Sequence, residues 1–471
     1  MRFIIPCLVS FLFTVVITPM VIRIANKCNC LDVPGGRRLH CKSTPRWGGV
    51  AFFAGVLPLL FMENYGGVLT SYIAASLILV CMGAWDDLKS LDFKFKFAGM
   101  AIAASIVIFG GEITVHHIGT YAYFGVVELG WFSIPFTFLS IIGITNAINL
   151  LDGLNGLAGG VSLLGFLFMG FAALITGNIM VAVLCFAFVG ALAAFLLFNF
   201  PNAKVFMGDS GSLFLGFSLA ITALLLTQDK NSSVDSMFPV LVLLIPIFDT
   251  LRVLLVRLLN GKNPFKADLL HLHFLLVQNK FSPVHTVILF WTVTIVLGNI
   301  ALALLTKTSE TSLAVVLQAS VLLALLASNL MQRQVENNNL VTIHRLVGAG
   351  LGLFTGRVGF ISNFVSSGKQ MTISSIVILG SVFVATQVSI GEPPHLKDGQ
   401  ATQDVQPATK SSGALSKHNQ AMIKEKEAQM VKNENNKVRL SKRNQSALKQ
   451  TEAAKARHDL IDKSNQDGAK Q

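Results

Sequence analysis

The chain is poor in charge. Only 13% of its 471 residues are Asp, Glu, Lys or Arg, whereas 52% are hydrophobic. A soluble protein carries about twice that share of charge. The apolar residues come in long blocks, and a helix of about 20 apolar residues can cross a bilayer. The composition therefore excludes a soluble enzyme and predicts an all-α, polytopic integral membrane protein.

Cysteine is also scarce, and the six cysteines are scattered along the chain. Cys28 and Cys30 lack a second pair at zinc-binding spacing, so no structural zinc site is predicted and all six are expected to be reduced. The first apolar block has no small-x-small cleavage site and leads directly into a basic loop. We expect it to be the first span and not a cleaved signal.

Eleven apolar blocks predict about eleven transmembrane helices. The linkers between them alternate between a set rich in Lys and Arg and a set that is short or acidic. By the positive-inside rule the basic linkers are cytoplasmic, which places the N-terminus outside. The blocks lie near residues 3–24, 48–62, 68–84, 98–111, 131–148, 157–176, 179–198, 212–227, 237–256, 286–306 and 311–331.

The apolar pattern weakens after residue 331. Residues 342–367 and 372–389 predict either two further spans or one interfacial helix and one span. From residue 397 the chain is polar, with 15 Lys and Arg against 9 Asp and Glu, which predicts disorder or a solvated helix. The expected organisation is a polytopic domain at 1–331, a marginal apolar region at 332–396 and a basic tail at 397–471.

Polar residues interrupt the hydrophobic sequence most clearly in TNAINLLDGLNGLAGG, residues 145–160. Asn146, Asn149, Asp152 and Asn155 follow one another at intervals of three. Polar groups at the edge of a span are costly in lipid and mark functional sites. Glycines in the same stretch would end the helix and let the backbone approach a ligand.

Two further clusters lie in earlier basic linkers. DVPGGRRLHCKSTPRWGG (32–49) contains Arg46, and taken alone it fits a topogenic basic loop as well as a functional one. WDDLKSLDFKFKF (85–97) places Asp86 and Asp87 at a helix end and Lys96 shortly after. Adjacent acids are often a helix cap, but beside lysine at a membrane edge they also suit phosphate and Mg2+.

Two later clusters complete the set. NFPNAKVFMGDSGSLFLG (199–216) holds Lys204 and Asp209, and a turn aspartate can cap a helix and still bind a ligand. IPIFDTLRVLLVRLLNGKNPFKADLLHLHFLL (245–276) holds a membrane-buried aspartate, a basic residue eight positions later and two loop histidines: Asp249, Arg257, His271 and His273. The histidines could ligate zinc, but the oxygen-rich set favours Mg2+ or Mn2+.

All these clusters are predicted to lie on one face of the membrane. Together they could neutralise a pyrophosphate, hold a divalent metal and meet a lipid-borne nucleophile. Phosphoryl transfer requires mainly positioning and charge stabilisation, which such residues supply.

The motifs resemble those of the polyprenyl-phosphate N-acetylhexosamine-1-phosphate transferases, glycosyltransferase family 4, over residues 1–331. The match is strongest to the bacterial branch that begins O-antigen and enterobacterial common antigen synthesis. DDLKxLxxxxKF, NAINLLDGLNGLAGG and PxAKVFMGDSGSLFLG carry it, with DxPxxRRLHxxxxPRxGG before them and PIFDTLRVLLVRLxxGKNPFxADxxHLH after them.

The resemblance implies transfer of N-acetylhexosamine 1-phosphate, most simply the N-acetylglucosamine form, from a UDP-sugar to undecaprenyl phosphate, with release of UMP and with Mg2+ or Mn2+. It implies a bacterial inner-membrane enzyme with its active site on the cytoplasmic face. Asp209 and Asn149 are the expected metal ligands, and Asp86, Asp87 and Asp152 the expected catalytic acids. The expected substrate-binding residues are Arg46, Lys96, Asn146, Asn155, Lys204, Asp249, Arg257, His271 and His273.

This chain departs from the family pattern at several positions. Position 155 is Asn where the branch generally has Asp, and the loop expected to read PDRxHxHH has Leu269 and Phe274 in place of an arginine and a histidine. These changes leave the identity of the sugar open more than the reaction.

Three alternatives stay open at this point. A phospho-MurNAc-pentapeptide transferase would carry three consecutive histidines, which this chain lacks. A transporter would place charged groups near the middle of the bilayer, where only Asp249 is expected. A non-catalytic scaffold would not require the intact aspartates. The expected partners are the two substrates and membrane lipids, without nucleic acid, and a homodimer is left open.

The basic tail generates the first prediction. Residues 397–471 lie outside the family resemblance, so truncation after Ser389 should keep specific activity within about a few-fold, because any tail contribution is weak electrostatic attraction to anionic lipids. Activity of the stably inserted truncation, compared with the full chain at low and high salt, measures this. Complete loss of turnover would contradict it. We expect the tail to be cytoplasmic, so an impermeant reagent should not label a cysteine introduced into the tail in intact cells.

Overall fold

The computed structural model describes residues 3–32, 43–62, 66–229, 232–263, 269–305 and 307–332. The predicted basic tail lies outside the described residues, and so does the marginal apolar region apart from residue 332. The division of the chain into these parts therefore stays a prediction.

The described part of the chain is helical, with two short antiparallel hairpins. One hairpin pairs β1 (Leu31–Asp32) with β2 (Thr44–Pro45), and the other pairs β3 (His117–Tyr121) with β4 (Gly125–Glu128). The helices are α1 (Ile4–Lys27), α2 (Gly48–Met62), α3 (Gly66–Lys89), α4 (Phe93–Ser105), α5 (Ser133–Leu151), α6 (Leu157–Thr176), α7 (Ile179–Asn199), α8 (Gly208–Thr227), α9 (Met237–Val242), α10 (Leu244–Leu259), α11 (Leu272–Gln278), α12 (Pro283–Ala303) and α13 (Ser309–Gln332).

Nine helical segments in the described residues are long and apolar enough to cross a bilayer. This confirms the all-helical, multi-pass membrane class. The segments are Ile4–Lys27, Gly67–Lys89, Phe93–Gly110, Gly130–Leu151, Leu157–Thr176, Ile179–Asn199, Gly208–Thr227, Pro283–Ala303 and Ser309–Met331.

The remaining two apolar blocks form shorter helices. Block 48–62 is α2, with 15 residues, and block 237–256 is divided between α9 and α10 at Leu243. Pro246 explains the division, because in a continuous helix its nitrogen would have to donate to the carbonyl of Val242 and proline has no N–H. The count of eleven spans and the sidedness of the membrane stay predictions.

Helix α8 is the centre of the bundle, with 94% of its most apolar stretch buried. Glycines let its neighbours approach its first turn closely. A Cβ on Gly49 of α2 would lie 2.1 Å from the Gly211 backbone, and one on Gly83 of α3 would lie 2.4 Å from the Ser210 backbone. Close backbone approach at small residues is a main source of helix association in lipid.

A buried polar contact joins α3 to α8 further along the two helices. The Tyr72 hydroxyl lies 2.7 Å from Ser218 Oγ, and the Tyr72 ring stacks on Phe217 with centroids 5.9 Å apart. Because the membrane interior offers no water, such a hydrogen bond also fixes which faces of the two helices meet. The C-terminal end of α3 is thereby held against the N-terminal end of α8.

The helix termini that carry most of the sequence-predicted site meet at one end of the bundle, which we call the site end. The opposite end is covered by the β3–β4 hairpin. Gln228, just after α8, accepts hydrogen bonds from the backbone N–H groups of His116 (2.9 Å) and His117 (3.3 Å) and donates to the carbonyl of His117 (3.2 Å). The hairpin is thus fixed to α8 at the end remote from Asp86, Asp87 and Asp209.

The glycine contact between α3 and α8 yields a prediction on stability. Gly83→Ala forces a methyl group into the Ser210 backbone, and overpacking of this kind costs about 1–3 kcal/mol. The variant should melt at a lower temperature in detergent than the wild type. Gly143→Ala in α5 is the matched control, because no atom lies within 4 Å of its added Cβ. Equal melting temperatures for the two variants would contradict the packing account.

Candidate active site

Lys96 lies between two aspartates at the site end. Its ammonium group is 2.8 Å from Asp86 Oδ2 and also contacts Asp209 Oδ2. The side chain of Asp92 caps α4 by accepting a hydrogen bond from the Lys94 N–H at 2.9 Å, which sets the first turn of the helix. Residues from α3, α4 and α8 therefore share one ion-pair cluster.

Asp87 caps α8 although it belongs to α3. Its Oδ1 accepts from the Asp209 N–H at 3.0 Å, and its Oδ2 accepts from Ser210 N–H at 3.3 Å and from Ser210 Oγ at 3.0 Å. A carboxylate at a helix N-terminus satisfies free N–H groups and is favoured by the helix dipole. A Cβ on Gly208, whose φ is +71°, would lie 2.4 Å from Asp87 Oδ2, so this turn requires glycine.

Asn149 brings α5 to the same centre. Its Nδ2 group donates to Asp209 Oδ1 at 3.2 Å and to Ser212 Oγ at 2.8 Å. The amide nitrogen is therefore used within the protein, and the amide oxygen is the atom that could bind a cation. Asp209 is the point at which α3, α4, α5 and α8 converge.

Asp152 follows the last residue of α5 and is half-buried. Its carboxylate accepts no hydrogen bond from another described residue. Burial, together with the negative charges of Asp209 and Asp87, raises the pKa of Asp152 to about 7. The centre thus holds more negative charge than Lys96 and Arg46 compensate.

The loop after Asp152 is held at Gly156, where φ is +78°. The Gly156 N–H donates to Asn199 Oδ1 at 2.6 Å, and its carbonyl accepts from Trp291 Nε1 at 3.2 Å. Asn199 also donates to the Val205 carbonyl at 2.9 Å, and Asn155 donates to the Pro201 carbonyl at 3.0 Å. These bonds join the 152–156 loop to the 200–206 turn that leads into α8.

Sequence reasoning missed both side chains that hold Gly156. Asn199 is 5% exposed and opens the polar stretch 199–216, so the motif contained a signal for it. Trp291 lies inside an apolar helix and gave none. Neither residue carries charge, and their role depends on how α7 and α12 pack around the loop.

The segment that contains Arg46 pairs with the turn before α8. The N–H groups of Gly48 and Gly49 donate to the carbonyls of Phe206 (2.8 Å) and Met207 (2.9 Å). The Arg46 guanidinium lies 2.6 Å from Asp32 Oδ1. Burial disfavours its charge, but the hydrogen bond and charge of Asp32 outweigh this and raise the pKa of Arg46, so it remains a cation.

Cys30 lies beside the same centre, and its Sγ donates to the Asp87 carbonyl at 3.6 Å. Burial and the charge of Asp87 raise the pKa of the Cys30 thiol to about 12, so it stays protonated and unreactive. The five described cysteines are free, as expected, and Cys41 lies outside the described residues.

A second polar group surrounds Asp249, which is 2% exposed. Asp249 accepts hydrogen bonds from His271 Nδ1 at 2.9 Å and from Arg252 Nη2 at 2.8 Å. The ring of His273 packs against the loop, because a Cβ on Gly153 would lie 2.3 Å from His273 Nε2. Burial lowers the pKa of His273 to about 3, so this ring is neutral.

The other expected substrate-binding residues are less closely connected. Asn146 is half-buried and Lys204 is exposed, and among the described residues no hydrogen bond joins either side chain to Asp209. Arg257 is 6% exposed, near the C-terminal end of α10.

The donor set fits a hard divalent cation. Asp209, Asp152 and Asn149 offer oxygen atoms, which Mg2+ and Mn2+ prefer. Within the described residues no three His, Cys, Asp or Glu side chains form a ready-made metal site. Mg2+ in phosphoryl-transfer enzymes is commonly held by one or two carboxylates and completed by substrate phosphates and water, which agrees with this arrangement.

Fold and site together define a multi-pass membrane protein with a carboxylate and lysine centre at one end of its helices. Residues 69–227 match the sequence profile of glycosyl transferase family 4. The matched region contains Asp86, Lys96, Asn149, Asp152 and Asp209.

Similar proteins extend beyond this region. A Bacillus subtilis (strain 168) protein described as a "probable undecaprenyl-phosphate N-acetylglucosaminyl 1-phosphate transferase" is 35% identical over 318 residues, 67% of this chain and 88% of that protein. The undecaprenyl-phosphate alpha-N-acetylglucosaminyl 1-phosphate transferases of Salmonella typhi and Escherichia coli (strain K12) are 30% and 28% identical, each over 58% of this chain and 76% of the relative. The chain belongs to glycosyl transferase family 4.

The raised pKa of Asp152 predicts a pH-dependent stability difference. The pKa of Asp152 is about 7 in the folded protein, whereas that of an unfolded aspartate is near 3.9. The folded protein therefore binds this proton more tightly, and its free energy of unfolding falls as pH rises from about 4 through about 7. Asp152→Asn removes the titration. The melting temperature of the variant relative to wild type should therefore rise between about pH 5 and pH 8.

A chelator is added to the wild-type and the Asp152→Asn samples, because a bound cation would change the electrostatics around Asp152. The matched control is Asp92→Asn, which changes an exposed carboxylate at the start of α4. A difference between Asp152→Asn and wild type that does not vary with pH would contradict the electrostatic description of Asp152.

Proposed function

We propose that the chain transfers an N-acetylhexosamine 1-phosphate group, N-acetylglucosamine 1-phosphate in the first instance, from a UDP-sugar to undecaprenyl phosphate. The products are UMP and the undecaprenyl-diphospho-sugar that begins a lipid-linked cell-surface polysaccharide. The observation that supports this most directly is the convergence of Lys96 and Asn149 on Asp209, within the region that matches the family. The names of the similar bacterial proteins support the two substrates.

In the proposed reaction an oxygen of the lipid phosphate attacks the phosphorus atom that bears the sugar. The new P–O bond forms as the bond from that phosphorus to the oxygen bridging to UMP breaks, and UMP leaves with the electron pair. Lys96 is positioned to neutralise phosphate charge, which is a large part of catalysis in phosphoryl transfer. The lipid phosphate is already anionic, so the account does not depend on a general base.

Asp209 and the amide oxygen of Asn149 would hold Mg2+ or Mn2+, and the negative charge of Asp152, which interacts with that of Asp209, would favour the cation. When bound, the cation would supply electrostatic stabilisation of the pyrophosphate and of the leaving UMP. Asp87 holds Asp209 at the start of α8, while Asn199 and Trp291 hold the loop of Asp152. Asp86 contacts Lys96 and orients its ammonium group.

The proposal places the site end at the cytoplasmic face of a bacterial inner membrane. The basic linkers lie at the helix ends that carry the aspartates, and UDP-sugars are cytoplasmic metabolites. The departures at positions 155, 269 and 274 bear on the choice between N-acetylglucosamine and another amino sugar, which a panel of UDP-sugars would decide.

The decisive variant is Asp209→Asn, which keeps the shape of the side chain but removes its charge. We expect kcat to fall by about 100-fold or more, because the charge holds both Lys96 and the proposed cation. The assay follows UMP and lipid-linked sugar formed from UDP-N-acetylglucosamine and undecaprenyl phosphate by the full chain in lipid nanodiscs. EDTA should stop turnover by the wild type, and added Mg2+ should restore it.

Asp92→Asn is the control for this experiment. Asp92 is the exposed N-cap of α4. Because asparagine caps helices equally well, this variant should retain activity. Turnover near the wild-type rate by Asp209→Asn would remove Asp209 from the site. If no UDP-sugar of the panel yields UMP with the wild type, the proposed reaction is wrong.

A further inference from the structure

The buried group around Asp249 lies beside the 152–156 loop, and the mechanism above does not use it. His271 is 4% exposed, and its Nδ1 atom lies 2.9 Å from Asp249 Oδ2. His271 Nε2 is buried and has no hydrogen-bond partner among the residues that the structure describes. A buried polar atom without a partner costs about 1–3 kcal/mol, so its presence calls for a function.

Asp249 has no capacity left for a substrate or a metal. Its Oδ1 accepts from Arg252 at 2.8 Å and from the Leu272 N–H at 3.1 Å, and its Oδ2 accepts from His271 and from the same N–H at 3.2 Å. Two carboxylate oxygens offer about four acceptor positions, and these donors fill them. The expectation from sequence that Asp249 binds substrate directly therefore does not suit its surroundings.

The same hydrogen bonds determine which nitrogen of His271 carries the proton. The Asp249 carboxylate can only accept, so His271 Nδ1 must be the donor. In the neutral ring Nε2 is then bare and can only accept a hydrogen bond. The Arg252 guanidinium shares Asp249 with His271.

Arg252 also fixes the loop that carries the two histidines. It donates to the Leu270 carbonyl, and its Nη1 lies 3.3 Å from the sulfur of Met331 in α13. The ring of His271 lies nearly parallel to that of His273, with centroids 5.9 Å apart, and His273 packs against Gly153. The ring of His273 thus lies between the ring of His271 and the loop of Asp152.

We propose that Asp249 is a positioning residue that fixes His271 with a bare Nε2, and that this nitrogen accepts a hydrogen bond from an N–H or O–H group of the sugar nucleotide. Arg252 is the cation that pairs with Asp249 and holds the loop. The second half of the proposal rests on the proposed function. The first half does not, because it concerns the protein alone.

The tautomer can be measured directly. The full chain is labelled with [15N]histidine and studied in lipid by solid-state NMR, with His271→Gln used to assign the His271 signals. We expect a protonated Nδ1 and a bare Nε2 in the wild type. In Asp249→Asn the side-chain amide can donate to Nδ1, so the proton should move to Nε2. A wild-type His271 with a protonated Nε2 would overturn the proposal.

A double-mutant cycle tests how the two residues act on the substrate. Asp249→Asn and His271→Ala should each raise KM for UDP-N-acetylglucosamine by about 10-fold to 100-fold, with a smaller change in kcat. If Asp249 acts through His271, the double variant is no worse than His271→Ala alone. Multiplying effects would mean that Asp249 acts independently and would overturn the proposal.

One conservative variant and one control variant complete the double-mutant cycle. His271→Gln places an amide oxygen near the former Nε2 position, so it should restore much of the affinity and make it insensitive to Asp249→Asn. Asp235→Asn is the matched control at the opposite end, where Asp235 accepts from Ser309 at 2.9 Å, and it should leave KM unchanged. If His271→Ala leaves KM unchanged, Nε2 holds only a buried water and the proposal fails.

These experiments also distinguish failure of the proposed function from failure of the positioning role of Asp249. Absence of turnover by the wild type with every UDP-sugar refutes the proposed function, and with it the substrate half of this inference, while the NMR measurement still decides the positioning half. Normal turnover with multiplying effects refutes the positioning role alone. If Asp249→Asn does not accumulate in the membrane, Asp249→Glu takes its place in the cycle, because it keeps the charge but displaces the carboxylate from His271.

Discussion

The contact between the end of α3 and the start of α8 is the interaction on which the rest of the site depends. Asp87 on α3 accepts hydrogen bonds from the free N–H groups at the start of α8, and Gly83 allows the two backbones to approach closely. Together they place Asp209 beside Lys96 on α4 and Asn149 on α5. In a membrane, where buried polar groups must find protein partners, the helix packing and the chemistry are built by the same hydrogen bonds.

Charge is the second constraint. Asp86, Asp87, Asp152 and Asp209 share a small volume, and Lys96 and Arg46 balance only part of their charge. The pKa of about 7 for Asp152 reflects this imbalance together with burial. A divalent cation would relieve it, and a pyrophosphate would complete the coordination of that cation. By contrast, the group of Asp249, Arg252 and His271 is balanced internally, which suits hydrogen bonding to a ligand more than metal binding.

Much of this arrangement could be predicted from the sequence because charged residues are so rare in it. Every Asp or Lys beside an apolar block is conspicuous, and the alternation of basic linkers groups Asp86, Lys96, Asn149 and Asp209 on one side of the membrane. The residues that sequence reasoning missed are those whose role depends on helix crossing. Trp291 reaches Gly156 from an apolar helix, and Arg252 lies inside the apolar block 237–256, three residues after Asp249. Asp87 was predicted as a catalytic acid, but its role as the cap of a helix that begins about 120 residues later was not. The interruption between α9 and α10 was visible only as Pro246.

The central claim is that Asp209 organises a cation and a pyrophosphate at the start of α8. The most direct measurement is pulsed EPR of Mn2+ bound to the full chain in nanodiscs, with UDP-N-acetylglucosamine present. The account predicts a hyperfine coupling between Mn2+ and 31P in the wild type, and loss of the bound Mn2+ signal in Asp209→Asn. Binding of Mn2+ with the same 31P coupling in Asp209→Asn would contradict it.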